Sequence, residues 1–184
     1  MARYGLAGTT TRHIAETAGV GVASLYDYFK DKDAVFDAMN ARLVEDTVST
    51  ISPIVPDMMK LDLGDATRLM LRTYGELLKR NDNRYLHWVR ERSNELKSAN
   101  MEPVHQMLND IFMRYLLHHP HYTGIPDLAT AHYIFLKGGM LSVLHFLGEE
   151  RPPISFDDLV NGLARMVNHY AHGELARVKT GQGT

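Results

Sequence analysis

Thr9–Asp33 reads TTTRHIAETAGVGVASLYDYFKDKD. Two short helices around a glycine, followed at once by a third, are the simplest structure this pattern allows. Thr10 precedes the first apolar periodicity, where a side-chain oxygen can accept an otherwise unpaired N–H of the first turn. Ile14, Ala15 and Ala18 are expected inward. Gly19 stands where the helix must end, and glycine tolerates the left-handed backbone such an end requires. Val20 is expected to plug the corner. Leu25 and Phe29, four apart on the second helix, are expected to face the same small core. The spacing predicts helices over 10–18 and 21–29, then a longer one over 32–51 with Asp31 as its N-cap.

A short glycine-containing turn between two compact helices is the signature of a helix-turn-helix. In that motif the second helix enters the major groove and its N-terminal residues meet base edges. Here those residues are Gly21, Val22, Ala23 and Ser24. They are small enough for a close backbone approach and offer few hydrogen bonds for direct readout.

Outward from the motif, helical patterns fill nearly the whole 184-residue chain, and no alternating strand stands out. Punctuation divides it into roughly eight helices. After 32–51 come a helix opening at Asp65 and stopping near Asn81-Asp82-Asn83, another over 84–97, and one over 102–118 with Val104, Met107, Leu108, Ile111, Phe112 and Tyr115 on one stripe. Asp127 is expected to cap a long apolar helix to about Leu147. Ser155 is expected to cap the last helix, with a frayed tail from Gly173. The natural division is 1–52, a helix-turn-helix unit with its connecting helix, and 53–184, a helical bundle.

The chain carries 20 Lys and Arg, 22 Asp and Glu, and a net charge of −2. That balance argues against non-specific coating of nucleic acid. Any DNA contact must come from a few well-placed cations, hydroxyls and helix N-termini. Cysteine is absent, which excludes disulfides and thiolate metal sites and suits a cytoplasmic location. No run of apolar residues is long enough for a membrane span.

TTTRHIAETAGVGVASLYDYFKDKDAVF resembles the DNA-binding signature of the TetR family of transcriptional regulators: Thr-Thr, Ile-Ala, Ala-Gly-Val, then Leu-Tyr-x-Tyr-Phe-x-x-Lys. The likeness runs from Gly5 to about Leu43. It implies an all-α protein whose N-terminal motif binds double-stranded operator DNA. By that resemblance Thr10, Thr11 and Arg12 open the motif at the phosphates, with Arg12 also able to reach a base edge. Val22 and Ala23 would touch bases beside Gly21. Ser24, Tyr26 and Tyr28 would hold phosphates through hydroxyls, and Lys32 would do so at a helix N-terminus. Two departures stand out. Asp27 puts an acid where family members carry an aromatic or neutral residue. Only MARY precedes Gly5, where the family has a covering helix, so that first helix is expected to be largely missing.

The resemblance further implies a C-terminal bundle that forms a homodimer and holds a small-molecule effector whose binding releases DNA. Gly138 and Gly139 lie inside a helix, where glycine costs about 1 kcal/mol against alanine. A close helix approach would explain that cost. With Leu141, Ser142, Leu159, Leu163 and Val167 they suggest a four-helix dimer interface, close packing within one chain being the alternative. Met70, Tyr74, Tyr85, Trp88, Met107 and Phe112 are the candidate ligand-pocket residues, core packing being theirs. His87 and His105 could add polar anchors. The clusters His118-His119-Pro120-His121 and His169-x-x-His172 match no zinc spacing. No phosphate loop or nucleophile motif occurs, so neither catalysis, a metal nor a bound cofactor is expected. The reading is a ligand-released repressor. The alternative is a helical small-molecule-binding dimer that no longer binds DNA.

Overall fold

The computed structural model describes residues 9–92 and 101–181, without the side chains of 81–84, 87–88 and 90–92. Every regular element among the described residues is helical. α1 is Thr11–Ala18, α2 is Val22–Tyr28 and α3 is Lys32–Ile51. A 3₁₀ turn, Ser52–Ile54, leads to the short α4, Val55–Met58, and then to α5, Leu63–Arg92. α6 is Glu102–His118. After the 3₁₀ turn Pro120–Gly124 come α7, Leu128–Tyr133, a π-helical segment, Ile134–Gly138, and α8, Gly139–Gly148. The last helix, α9, is Phe156–Lys179. Among the described residues, no helix is long and apolar enough to cross a membrane.

Local chemistry sets the first helices. The His13 N–H donates to Thr10 Oγ1 at 3.3 Å and the Thr10 N–H returns to His13 Nδ1 at 3.4 Å, a reciprocal cap. Gly19 closes α1 at φ 68°, a backbone that a side chain would strain. Ala15, Leu25 and Val35 form a small core with Ile14 and Phe29 against it. Ala18 and Val20 were expected in that core and are instead exposed, because Ala15, Leu25 and Val35 close the corner without them. Asp31 caps α3 by accepting the Ala34 N–H at 2.8 Å.

Two larger cores lie in the bundle. One joins Phe36 and Leu43 of α3 to Leu77, Leu78, Tyr85 and Val89 of α5 and to Val143 and Leu147 of α8. The other gathers Ile51, Met58, Met59, Ile111, Tyr115, Tyr122 and Ala171. α5 packs chiefly on α9 and α3.

Several boundaries differ from expectation. The Asp62 carboxylate accepts the Asp65 N–H at 2.8 Å, so α5 opens at Leu63 rather than at Asp65. It also continues through Asn81-Asp82-Asn83, where a break was expected. Asparagine and aspartate each cost a helix at most about 0.7 kcal/mol. Burying one large apolar side chain yields about 1.5–3 kcal/mol. The continuous stripe Leu77, Leu78, Tyr85 and Val89 therefore outweighs the weak formers between them. The part of the expected helix beyond residue 92, with Leu96, lies outside the described residues. Asp127 makes no capping bond with its side chain; it adopts the left-handed conformation at φ 49°, and α7 starts after it. The expected frayed tail is helical to Lys179, held by Leu175 against the second core and by the Arg177–Glu174 ion pair at 2.9 Å.

Within the chain, Gly138 and Gly139 make no close helix approach. A Cβ at either would meet nothing within 4 Å. A Cβ at Gly75 of α5 would overlap the Phe156 ring of α9, with Cζ at 3.0 Å. Gly75→Ala is therefore expected to destabilise the chain by about 1–3 kcal/mol through overpacking. Gly139→Ala, in open helical space, is expected to stabilise the isolated chain by up to about 1 kcal/mol. Urea unfolding midpoints of the two variants check this contrast.

Candidate nucleic-acid interface and bundle cavities

Gly21 is the N-cap of α2, and its N-terminal residues Val22, Ala23 and Ser24 are all exposed. Tyr26 and Tyr28 follow on the same helix, Tyr28 with 83% of its surface open. The Thr11 hydroxyl and the Tyr26 phenol lie 3.0 Å apart, so α1 and α2 are joined by a polar contact at the surface as well as by their core. Thr10 is exposed while it caps α1. Arg12 is exposed and pairs with Glu16 at 2.9 Å. An exposed ion pair of this kind contributes about 0–1 kcal/mol, so Arg12 can leave it cheaply for a stronger anion. Lys32, in the first turn of α3, lies 5.6 Å from the centre of the Phe36 ring. Asp27 is exposed on α2. The predicted contact residues thus lie on two short helices and the start of a third, all fixed by one small core.

α3 carries this unit into the bundle. Its Val35 belongs to the N-terminal core, and its Phe36 and Leu43 to the core with α5. Tyr85 of α5 donates its phenol proton to Asp46 of α3, which Arg42 also holds at 3.1 Å. Burial and the Asp46 carboxylate both push the Tyr85 phenol above its ordinary value.

Two adjoining cavities open at the far end of α3. The larger, about 310 Å³, is walled by Thr47 and Ile51 of α3, by Met70 and Tyr74 of α5, by Met107 of α6, and by residues of α8 and α9. The smaller, about 190 Å³, lies between α5, α6, α7 and α9, with Phe112, Tyr115, Tyr122 and His132 in its wall. Thr67, Met70, Leu108, Phe135, Leu136 and Val167 belong to both. Phe135 and Leu136 come from the π segment, whose wider turn is a common device where a helix borders a site.

Of the candidate pocket residues, Met70, Tyr74, Met107 and Phe112 line these cavities. Tyr85 does not; it packs in the α3–α5 core and bonds Asp46, because its place on α5 faces α3. The side chains of Trp88 and His87 lie outside the described residues. His105 lines neither cavity and accepts from Lys137 Nζ at 3.1 Å. Among the candidate dimer residues, Gly138, Gly139, Ser142, Leu163 and Val167 border the larger cavity. Leu159 and Leu163 pack on the chain's own core, and Leu141 is 51% exposed.

His132 was not singled out from the sequence. Its ring stacks on Phe112 with centroids 3.9 Å apart. Its Nε2 is buried with no hydrogen-bond partner. Burial lowers its pKa below the ordinary 6.5. A histidine inside the apolar run Ala131–Leu136 was the available signal. Among the described residues, no group of three His, Asp or Glu is placed to hold a metal ion.

Residues 1–39 match the sequence model of the family described as bacterial regulatory proteins, tetR family. No curated protein and no solved structure matches the chain significantly.

Because the folded His132 resists protonation, the unfolded chain binds that proton first as pH falls through about 6.5. The folded state should lose stability below that pH. Between pH 7.5 and 5.5, His132→Phe is expected to lose less stability in urea than the parent chain.

Proposed function

We propose, starting from the match of residues 1–39 to the tetR family of bacterial regulatory proteins, that this DNA-binding transcriptional regulator is a ligand-released repressor acting as a homodimer on a palindromic operator. A cytoplasmic location accords with that role. We place the boundary between its DNA-binding and effector-binding parts at residues 52 and 53.

The observation that carries the proposal is the double duty of α3. At one end, Val35 helps build the core that fixes the recognition helix α2. At the other, Thr47 and Ile51 form part of the larger cavity wall. An effector there touches the helix that carries the DNA-reading unit. Such a ligand releases DNA only to the extent that it binds the DNA-free arrangement more tightly than the DNA-bound one.

Homodimerisation is supported by exposed apolar side chains. Leu141 of α8 and Met166 and Tyr170 of α9 are 51%, 61% and 37% open. Gly138 and Gly139 leave open space beside them for a neighbouring helix. Two copies would set their recognition helices about 34 Å apart, one turn of DNA.

On DNA the assigned roles are specific. Lys32 and the hydroxyls of Thr10, Thr11, Ser24, Tyr26 and Tyr28 hold phosphates. Gly21, Val22 and Ala23 let α2 approach base edges, and Arg12 reaches a phosphate or a guanine. With so few cations the non-specific affinity should be weak.

Binding to the DNA immediately upstream of the gene, measured at several salt concentrations, tests this. Lys32→Ala should weaken binding about equally on all sequences and reduce the salt slope by about 1. Arg12→Ala should cost about 1–3 kcal/mol on the preferred site and less on others. A chain that binds no duplex, yet binds small apolar molecules, would contradict the repressor reading and favour a ligand-binding dimer. Leu141→Asp should shift the sedimenting species from dimer to monomer.

A further inference from the structure

The cavity walls carry information about the ligand beyond its presence, on the reading that these cavities are the effector site. Among the described residues, neither cavity has an Asp, Glu, Lys or Arg in its wall. A fixed charge would enter without a partner, and burying an unpaired ion costs several kcal/mol. Hydrogen bonding is scarce for a different reason. The hydroxyls of Thr47, Thr67 and Ser142 donate to the carbonyls of Leu43, Leu63 and Gly138 at 2.7, 2.7 and 2.8 Å. The Tyr115 phenol donates to the Leu61 carbonyl at 2.9 Å. The Tyr122 hydroxyl is turned toward Tyr115 and the Leu63 backbone.

Apart from the exposed Tyr170, two side-chain polar groups in the described cavity walls are uncommitted. One is His132 Nε2, buried and partnerless in the smaller cavity's wall. The other is the Tyr74 hydroxyl in the larger one, for which no hydrogen bond is formed. Burial alone pushes the Tyr74 phenol up to about 12, so it stays protonated. An orphaned buried nitrogen destabilises the unliganded protein, and a bound partner can recover that loss. An apolar chamber with a few convergent polar atoms is the usual form of a small-molecule site.

We infer that the effector is an uncharged, largely hydrocarbon molecule with a hydroxyl or carbonyl oxygen that hydrogen-bonds His132 Nε2. Its apolar body fills the two adjoining cavities along Met70, Phe135 and Leu136. A hydroxyl suits either tautomer of the ring, since it both donates and accepts. Tyr74 offers a second anchor at the other end of an elongated ligand. The described walls offer a carboxylate or ammonium ion of the same shape no countercharge.

Three probes with one ring system separate these features: 2-naphthol, neutral with a hydroxyl; 2-methylnaphthalene, with no polar group; and 2-naphthoate, an anion. Binding to the full chain at pH 7.5 is measured by calorimetry. 2-Naphthol should bind at least about a hundredfold more tightly than 2-naphthoate. His132→Phe keeps the ring stack on Phe112 and removes the nitrogen. It should weaken 2-naphthol about five- to tenfold and leave 2-methylnaphthalene within about twofold. The unliganded His132→Phe protein should melt at or above the parent temperature, since a buried orphan has gone. His132→Gln, which returns a neutral donor and acceptor, should recover much of the lost affinity. Equal affinity for naphthol and naphthoate overturns the inference. So does naphthol binding that is indifferent to His132→Phe, or absent altogether. Naphthol that binds through His132 and leaves DNA affinity unchanged overturns the effector reading while upholding the ligand chemistry.

Discussion

One hydrogen-bonded helix, α3, packs at one end in the N-terminal core and at the other in the larger cavity's wall, and the proposed coupling of ligand to DNA passes along it. Its first turns cannot move without carrying α1 and α2, because Val35 is one of the three buried residues of their core. Its last turns cannot move without reshaping the larger cavity, because Thr47 and Ile51 are in that wall. Between these ends it is clamped to α5 by Phe36, Leu43 and the Asp46–Tyr85 bond. A packed core resists continuous deformation, so a change at one end is expected to move the helix between discrete positions.

The DNA-reading unit and the cavities solve opposite electrostatic problems. The first 50 residues hold seven acids against five bases. The assigned phosphate contacts therefore lean on hydroxyls and on helix N-termini, where backbone N–H groups already favour anions. The described cavity walls instead carry no Asp, Glu, Lys or Arg, and the proposed ligand is oriented there by neutral polar groups. The reciprocal cap at Thr10, the left-handed Gly19 and the Asp31 cap fix the first unit by local hydrogen bonds. The bundle relies on apolar burial that leaves space along the π segment and α9.

That contrast explains how much was legible in the sequence. Thr10, Gly19 and Asp31 act within three or four residues of themselves, so their roles could be read from the neighbouring residue types. The cavities could not be read this way. Met70 and Tyr85 sit on one helix with similar residue chemistry, yet Met70 borders both cavities and Tyr85 faces α3. A 3.6-residue stripe reports that a face is covered and is silent on whether the cover is dense. Glycines show the same limit. Gly138 and Gly139 drew notice as a pair, while the lone Gly75, against the Phe156 ring, marks the tight crossing. The asparagines at 81 and 83 suggested a boundary that the long-range packing of Leu78, Tyr85 and Val89 overrides.

The account's central claim is that ligand occupancy in the bundle and the placement of the recognition helices are one equilibrium. The absence of cysteine allows a single spin label at Asp27→Cys on the exposed face of α2. The label-to-label distance in the dimer would be measured by pulsed electron resonance with and without 2-naphthol. The account predicts a distance distribution that shifts to a second, separate population when the probe is bound. An unchanged distribution at saturating probe, with binding confirmed by calorimetry on the same sample, would contradict it.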